Sequence, residues 1–201
     1  MQKTARATLP AVALTAAAIL ILAGLISPSA SRANDDASRA NDNDGYTTFT
    51  VDVAELDTTN KQNDVDPAEG QDTFTRGDTF VLDGNIYPGG TLPTGVAGND
   101  PNAPGIGKFR SRGANTAGPT ARIFGFTTES FSLPDDRNTI LTDGLWPNEG
   151  FSAHRVVLGG TGRFRGVVGE AYEENIGRNK TQFCNLRVTF KIRKAALRND
   201  H

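Results

Sequence analysis

Residues Val156–Tyr172 read VVLGGTGRFRGVVGEAY: an apolar run, a glycine-rich turn and a second extended run that two further glycines interrupt. Gly159, Gly160 and Gly162 admit the positive φ angles that a tight turn requires. A phosphate-binding loop is the alternative, but no Gly-Lys-Ser/Thr follows the turn and the next segment lacks a helical pattern. The stretch therefore predicts two β-strands joined by a glycine turn.

The size and charge of the chain narrow the class of protein. It has 201 residues, enough for one domain with a hydrophobic core, and a formal net charge of -2. This balance gives no electrostatic reason to expect a nucleic-acid partner. With one cysteine and two histidines the sequence has no zinc-type ligand set, so we expect no metal.

Cys184 is the only cysteine, which leaves no internal disulfide. It alternates with Leu186, Val188 and Phe190, a pattern that favours a buried apolar thiol. A reactive nucleophile is the alternative.

The N-terminal segment has the layout of a secretory signal peptide. Lys3 and Arg6 precede the apolar run Leu9–Ile26, and small residues follow as far as Ala33. We expect cleavage after Ala30 or Ala33, secretion of the mature chain and no further membrane contact. An uncleaved membrane anchor is the alternative.

The remaining chain divides by composition. The pentapeptide SRAND occurs twice before the first β-type run, in a polar stretch without large apolar residues. We expect a signal peptide at 1–33, a polar linker at 34–45, a folded domain at 46–195 and a polar tail at 196–201.

Short β-type runs fill the folded domain, and no convincing amphipathic helix separates them. The runs are Thr47–Leu56, Thr79–Tyr87, Arg122–Ser132, Asn138–Leu145, His154–Leu158, Phe164–Tyr172 and Gln182–Arg193. Short strands separated regularly by turns predict an antiparallel barrel or sandwich. A barrel of about eight strands can hold one small ligand. The long stretch Pro88–Pro119, rich in Gly, Pro and Asn, is interpreted as a loop, either a lid or a floppy excursion.

Four motifs resemble the plant dirigent proteins and allene oxide cyclases. The GGTGRFRG of the glycine turn resembles their Gly-Gly-(Ser/Thr)-Gly-x-Phe hairpin. Three further segments resemble the allene oxide cyclases: Val51–Asp57 their first strand, Gly77–Tyr87 their second strand, and Ile140–Trp146 the strand before the hairpin. The resemblance covers most of Thr47–Lys194 and implies an all-β fold, an eight-stranded antiparallel calycin-like barrel with a largely apolar cavity and no cofactor.

The polar residues depart from that family. Its first-strand glutamate and the asparagine two residues later fall at Asp52 and Ala54, and a second-strand asparagine falls at Gly84. The dirigent arginine near the hairpin falls at Val168. The resemblance therefore does not carry over the cyclase reaction or the coupling of phenols.

Two carboxylates are candidate catalytic residues. Asp52 facing the cavity would be desolvated and able to act as a general acid or base, with Val51 and Val53 outside beneath a partner subunit or a terminal segment. The opposite parity, with both valines in the core, is the alternative. Glu170 shares parity with Tyr172 and either faces inward or lies at the rim.

Six residues are candidate ligand contacts. Arg122 and Phe124 share one strand face, Tyr87 and Trp146 end strands, and His154 and Tyr172 alternate with apolar neighbours: the set is Tyr87, Arg122, Phe124, Trp146, His154 and Tyr172. Each has an ordinary packing or rim role as its alternative.

These patterns predict a secreted barrel that binds a small, largely apolar molecule and catalyses or steers its cyclisation or isomerisation without a cofactor. The alternative is a non-catalytic carrier or a structural surface protein on the same barrel. A homo-oligomer is a further expectation, since the outer face of the first strand would need cover.

Overall fold

The computed structural model describes residues 45–56, 60–66, 75–117, 121–134 and 136–194, and the chain forms ten strands within these ranges. They are β1 (Thr47–Glu55), β2 (Asn60–Asn63), β3 (Thr79–Pro88), β4 (Gly95–Val96), β5 (Gly107–Asn115), β6 (Ile123–Ser132), β7 (Thr139–Pro147), β8 (Ser152–Gly160), β9 (Val167–Arg178) and β10 (Cys184–Lys194). The expected signal peptide, nearly all of the linker and the polar tail lie outside the described residues.

The sheet closes on itself. Antiparallel pairs run in the order β1-β10-β9-β8-β7-β6-β5-β3, and β1 also pairs with β3. The expected eight-stranded antiparallel barrel is confirmed. β2 adds to the edge of β3, and β4 pairs in parallel with β9. Nowhere in the described ranges is there a helix with the length and apolar character needed to cross a membrane.

The stretch Pro88–Pro119 is not one loop, because β5 occupies 107–115 and pairs with both β3 and β6. Phe109 and Ser111 point into the barrel while Lys108, Arg110 and Arg112 alternate with them. The sequence interpretation missed this strand because small and charged residues conceal its period of two. The part before β5 lies against the outer barrel wall, where Leu92 packs with Tyr87.

Alternate residues of the eight barrel strands form the core. Phe109, Phe131 and Phe190 are each at most 2 % exposed, and their rings contact one another at centroid distances of 5.0–5.2 Å. Burial of each such ring contributes roughly 1.5–3 kcal/mol. Val51 and Val53 of β1 belong to the same cluster.

The glycine turn has the predicted strand–turn–strand form. β8 ends at Gly160, one turn of 3-10 helix spans Gly162–Phe164, and β9 begins at Val167. The Phe164 ring enters the core and stacks on Phe49 at 6.1 Å. Gly162 has a φ of 54°, and a side chain there would meet the carbonyl oxygen of Arg137.

A side chain in this turn can destabilise the protein in two ways, by the strain of a positive φ and by collision with the backbone. Comparison of Gly162 with Gly166 separates these two effects. Gly166 also has a positive φ, 70°, but a Cβ there meets nothing within 4 Å. Both alanine variants bear the strain of a positive φ, and only Gly162→Ala adds a backbone collision, so we expect it to destabilise by about 1–2 kcal/mol more. Urea-denaturation midpoints measure the difference, and equal midpoints would contradict this description of the turn.

Candidate functional site in the barrel interior

A layer of charged side chains crosses the barrel interior. Its members are Glu55 of β1, Glu129 of β6, Arg155 of β8 and Glu173 of β9, with exposures between 0 % and 2 %. Ionisable side chains are rarely buried so completely unless they are paired or functional. This charged layer is therefore the candidate functional site.

Apolar side chains lie on both sides of this layer. Glu129 is directly opposite Ser111 on β5, and Phe131 begins the aromatic core two residues further along β6. On the other side Leu82, the cross-strand partner of Ser111, belongs to a second apolar cluster that includes Trp146. The charged layer is thus enclosed between two apolar clusters and has a low local dielectric constant.

The second cluster, hereafter the Trp146 cluster, consists of Phe80, Leu82 and Trp146, with Phe124 and Phe183 packed against it. The Trp146 ring lies 4.9 Å from that of Phe80 and 5.4 Å from that of Phe124, between centroids. A surface cleft of about 430 Å³ reaches Phe80. The cleft also contacts the outward-facing Arg112, Phe126 and Thr128, so it lies on the outer side of the barrel wall.

Arg155 is anchored by neutral protein groups through all three guanidinium nitrogens. Its Nε donates to the hydroxyl of Thr142 at 3.2 Å. Its Nη1 donates to the carbonyl oxygen of Leu145 at 2.9 Å, and its Nη2 to that of Thr127 at 2.7 Å. These bonds fix the guanidinium plane inside the barrel.

Two carboxylates face the same guanidinium. Glu129 Oε1 lies 3.3 Å from Arg155 Nη1, and Glu173 Oε2 lies 3.5 Å from Nε. Burial raises the pKa of Glu173 well above its ordinary value, Glu129 raises it further, and Arg155 opposes both. One positive charge beside two crowded, buried carboxylates does not offset the burial, so the neutral form of Glu173 is favoured relative to an exposed glutamate.

Glu55 faces the same interior from the end of β1. Burial raises its pKa from 4.5 to about 8, and the nearby Glu129 adds to the shift. The backbone N–H of Cys184 donates to Glu55 Oε2 at 3.3 Å and, with the more distant Arg178, acts in the opposite direction. A carboxyl with such a pKa exchanges its proton near neutral pH.

Several interior polar atoms make no hydrogen bond within the protein, although one of them, Glu173 Oε2, forms the ion pair with Arg155. In the described ranges seven buried side-chain oxygens and nitrogens make no hydrogen bond, and they belong to Glu55, Ser111, Asn115, Glu129 and Glu173. An unmade buried hydrogen bond costs about 1–3 kcal/mol. Buried water or the polar groups of a bound molecule would satisfy these atoms.

Asp52 is buried, but on the outer side of the barrel wall. Its carboxylate accepts from Arg187 Nε at 2.9 Å, from Arg187 Nη2 at 3.1 Å and from the backbone N–H of Leu92 at 2.8 Å. The parity predicted for β1 is wrong, since Val51 and Val53 lie in the core. The segment after β3 lies on this outer face, where Leu92 contacts Asp52 and Tyr87.

Glu170, His154 and Tyr172 lie together on the outer face of β8 and β9. His154 Nδ1 is 3.9 Å from Glu170 Oε2, and these side chains are 72 % and 61 % exposed. The His154 and Tyr172 rings lie 5.1 Å apart, and the Tyr172 hydroxyl is 2.7 Å from that of Ser152. The inward orientation considered for Glu170 is therefore wrong.

The other predicted contacts divide between two places. Tyr87 is buried on the outer wall, where its hydroxyl donates to the carbonyl of Ala103 at 2.8 Å. Arg122 is exposed at the start of β6, with its guanidinium 5.0 Å from the Phe151 ring centre. Phe124 and Trp146 alone enter the interior, in the Trp146 cluster.

Sequence reasoning missed all four members of the charged layer. The sequence pattern that could have revealed them is a single charged residue among apolar residues on one face of a strand. Arg155 lies in this way between Ala153 and Val157, and Glu173 follows Ala171. The opposite face of β8 and β9 carries apolar residues too, so pattern alone did not decide which face is inside.

The described residues contain no group of His, Cys, Asp and Glu side chains that could hold a metal ion.

Comparisons with solved structures identify the fold. The pterocarpan synthase dirigent protein PsPTS1 matches with a TM-score of 0.54 and 14% identity over 75% of this chain and 96% of that one. The pterocarpan synthase dirigent protein GePTS1 matches with a TM-score of 0.51 and 12% identity over 73% of this chain and 86% of that one. A pyocyanin demethylase matches with a TM-score of 0.48 and 16% identity over 73% and 99%.

The fold is that of the dirigent barrels, and the resemblance predicted from the glycine turn is confirmed at this level. No protein-family model matches the sequence, and no curated protein matches it. The chain is thus a dirigent-type barrel with a charged layer in its interior.

The Glu55→Gln variant tests whether Glu55 is protonated in the folded protein, because protonation changes how the free energy of unfolding depends on pH. Folded Glu55 keeps its proton up to about pH 8, whereas the ordinary value is 4.5. The stabilisation of the folded state that follows from this raised pKa is complete below pH 4.5 and is lost as the pH rises towards 8. Between these pH values the free energy of unfolding falls by about 1.4 kcal/mol per pH unit. Glutamine mimics the protonated form, so the variant should lose less stability over this window and exceed the wild type at pH 8.

Urea denaturation at pH 5, 6, 7 and 8 measures this difference. Glu174→Gln is the matched control, because Glu174 neighbours Glu173 on β9 but faces the other side of the strand. Its curve should run parallel to that of the wild type. A Glu55→Gln curve that also runs parallel would contradict a raised pKa at this position.

Proposed function

We propose that the chain is a secreted barrel that binds one small, largely apolar molecule in its interior and directs a cyclisation or isomerisation of that molecule. The reaction uses proton transfer by buried glutamates and no cofactor. Secretion is proposed from the charged and apolar pattern of the first 33 residues.

The observation that carries this proposal is the fully buried layer of Glu55, Glu129 and Glu173 around the Arg155 guanidinium. Burial raises the pKa of Glu55 to about 8 and that of Glu173 well above its ordinary range. A carboxyl that exchanges its proton near neutral pH can serve as general acid and then as general base, which a cyclisation or isomerisation requires. No net oxidant, reductant or water is consumed in such a reaction.

The remaining interior groups have supporting roles. Arg155 and Glu129 form a fixed, buried ion pair that holds the local field constant while the proton moves. The Trp146 cluster supplies an apolar wall for the hydrocarbon part of the ligand. Enclosure between two apolar clusters excludes bulk water, which suits a reactive substrate.

The fold is compatible with this proposal. Two barrels with the same fold are named as pterocarpan synthases, so this architecture occurs in proteins that act on small organic molecules. The non-catalytic carrier would be favoured by an interior lined with apolar groups alone. Three buried glutamates instead favour the enzyme.

A mass-conserving reaction gives a specific assay. Protein purified from its culture medium is first analysed by native mass spectrometry for a co-purified molecule. Extracts of the medium are then incubated with the protein and analysed by liquid chromatography with mass spectrometry. We expect one component to be replaced by a product of equal mass and different retention time.

The variants assign the chemistry. Glu173→Gln and Glu55→Gln should each slow the conversion by roughly 100-fold or more, because positioned acid–base groups contribute that much. Glu174→Gln should retain the wild-type rate. A bound molecule that is never converted would favour the carrier, and full activity in both interior variants would overturn the assigned roles.

A further inference from the structure

Exposed apolar side chains concentrate on the outer side of β6, β7, β8 and β9, hereafter the β6–β9 face. In the described ranges nine large apolar side chains have exposures from 36 % to 55 %. Seven of the nine lie on this face: Phe126, Leu141, Leu145, Val156, Leu158, Val168 and Tyr172. The other two, Val65 and Phe151, lie outside these strands.

The strand register makes these side chains neighbours. Phe126 pairs with Leu145 across β6 and β7. Two positions along β7, Asp143 lies opposite Val156 of β8, which in turn lies opposite Glu170 of β9. Because alternate residues of a strand point to the same side, the exposed side chains before and after these positions form one continuous surface.

The size of this apolar surface is at the upper limit for a protein that stays monomeric. At roughly 200 Å² of accessible surface for a large side chain, exposures of 37–55 % over seven residues amount to roughly 600 Å². The largest apolar patch of a typical monomer is about 300–600 Å². A standard interface buries about 800 Å² on each partner. The face therefore supplies most of the surface that one side of a stable interface needs.

Charges of opposite sign border the apolar surface on opposite sides. The cross-strand row that begins at Asp143 of β7 ends at Lys191 of β10. The carboxylate of Asp143 accepts from the neutral hydroxyl of Thr128 at 2.9 Å, which leaves its negative charge at that border. Glu170, inside the row, has Lys191 of its own copy as its cross-strand neighbour. The acidic and basic borders are three strands apart, or about 14 Å.

We propose that the β6–β9 face binds a second copy of this chain through the same face, around a two-fold axis that runs parallel to the strands between β8 and β9. This axis places β10 of each copy over β7 of the other, so that Lys191 faces the partner's Asp143 on both sides of the enclosed apolar residues. A two-fold interface requires such self-complementarity. The strands of this interface carry Glu129, Arg155 and Glu173 on their inner side, so the partner packs on the outer wall of the charged layer.

Sedimentation of the purified chain tests the partner. Over a range of about 1–100 µM we expect a dimer that dissociates on dilution. A monomer at every concentration would overturn the proposal. A trimer or a larger ring would also overturn it, because an interface with two-fold symmetry closes at two copies.

Two valines provide a matched pair of variants. Val156 and Val65 are 52 % and 49 % exposed, and only Val156 lies on the β6–β9 face. Val156→Lys should raise the dissociation constant of the dimer by about 30-fold or more, because it places a charge in the desolvated centre of the interface. Val65→Lys should change it by less than about twofold. Equal effects of the two variants would show that the copies meet elsewhere.

A folding control keeps this comparison decisive. Trp146 is the only tryptophan and is 5 % exposed inside the barrel, so its fluorescence reports whether each variant remains folded. If Val156→Lys unfolds the barrel, Leu158→Lys on the same face of β8 takes its place, with the same expected loss.

Reversal of the bordering charges tests the two-fold arrangement. Asp143→Lys and Lys191→Asp should each weaken the dimer by about tenfold, and the double variant should recover most of the loss. Within one chain the two side chains are too far apart to form an ion pair, so recovery requires the second copy. A double variant that dimerises no better than either single variant would overturn this arrangement.

Discussion

Three glutamates and one arginine inside a closed barrel set the constraint on which the rest of the structure depends. Removing an ion from water costs several kcal/mol even after the protein relaxes. The chain meets this cost in two ways. Arg155 is bonded to two backbone carbonyls and a hydroxyl, and the crowding of Glu55 and Glu173 favours their neutral forms.

Closure of the sheet makes this interior possible. Because β1 pairs with both β10 and β3, the backbone groups of the barrel strands are satisfied within the ladder. The aromatic core of Phe109, Phe131 and Phe190 lies on one side of the charged layer, and the Trp146 cluster lies on the other. Both apolar groups limit the access of water to the layer. A rigid, partly dry interior is what proton transfer to a bound organic molecule requires.

The sequence predicted the barrel better than it predicted the site. The glycine turn was recognisable because tight turns require positive φ angles that residues other than glycine rarely adopt, and Gly159 and Gly162 have such angles. The site was misplaced because strand alternation leaves two possible faces. Glu170 and Glu173 lie on one strand with opposite parity, and only the closed sheet determines which of them is inside.

Asp52 illustrates a second limit of pattern reasoning. It is fully buried, as a catalytic carboxylate in a cavity would be, yet a covering segment and Arg187 enclose it outside the wall. That segment is distant in sequence, with Leu92 forty positions away, so local alternation could not reveal it. β5 escaped notice for a related reason, since its inward positions are mostly small or polar.

The most direct test of this account is a carbon-13 NMR titration of the glutamate carboxyl carbons in the folded protein, compared with the same titration of Glu55→Gln. The account predicts a buried carboxyl signal that titrates near pH 8 in the wild type and is missing from the variant. If every glutamate carboxyl instead titrates within about one unit of the ordinary value of 4.5, the interior carboxyls are ionised at neutral pH and the central claim is contradicted.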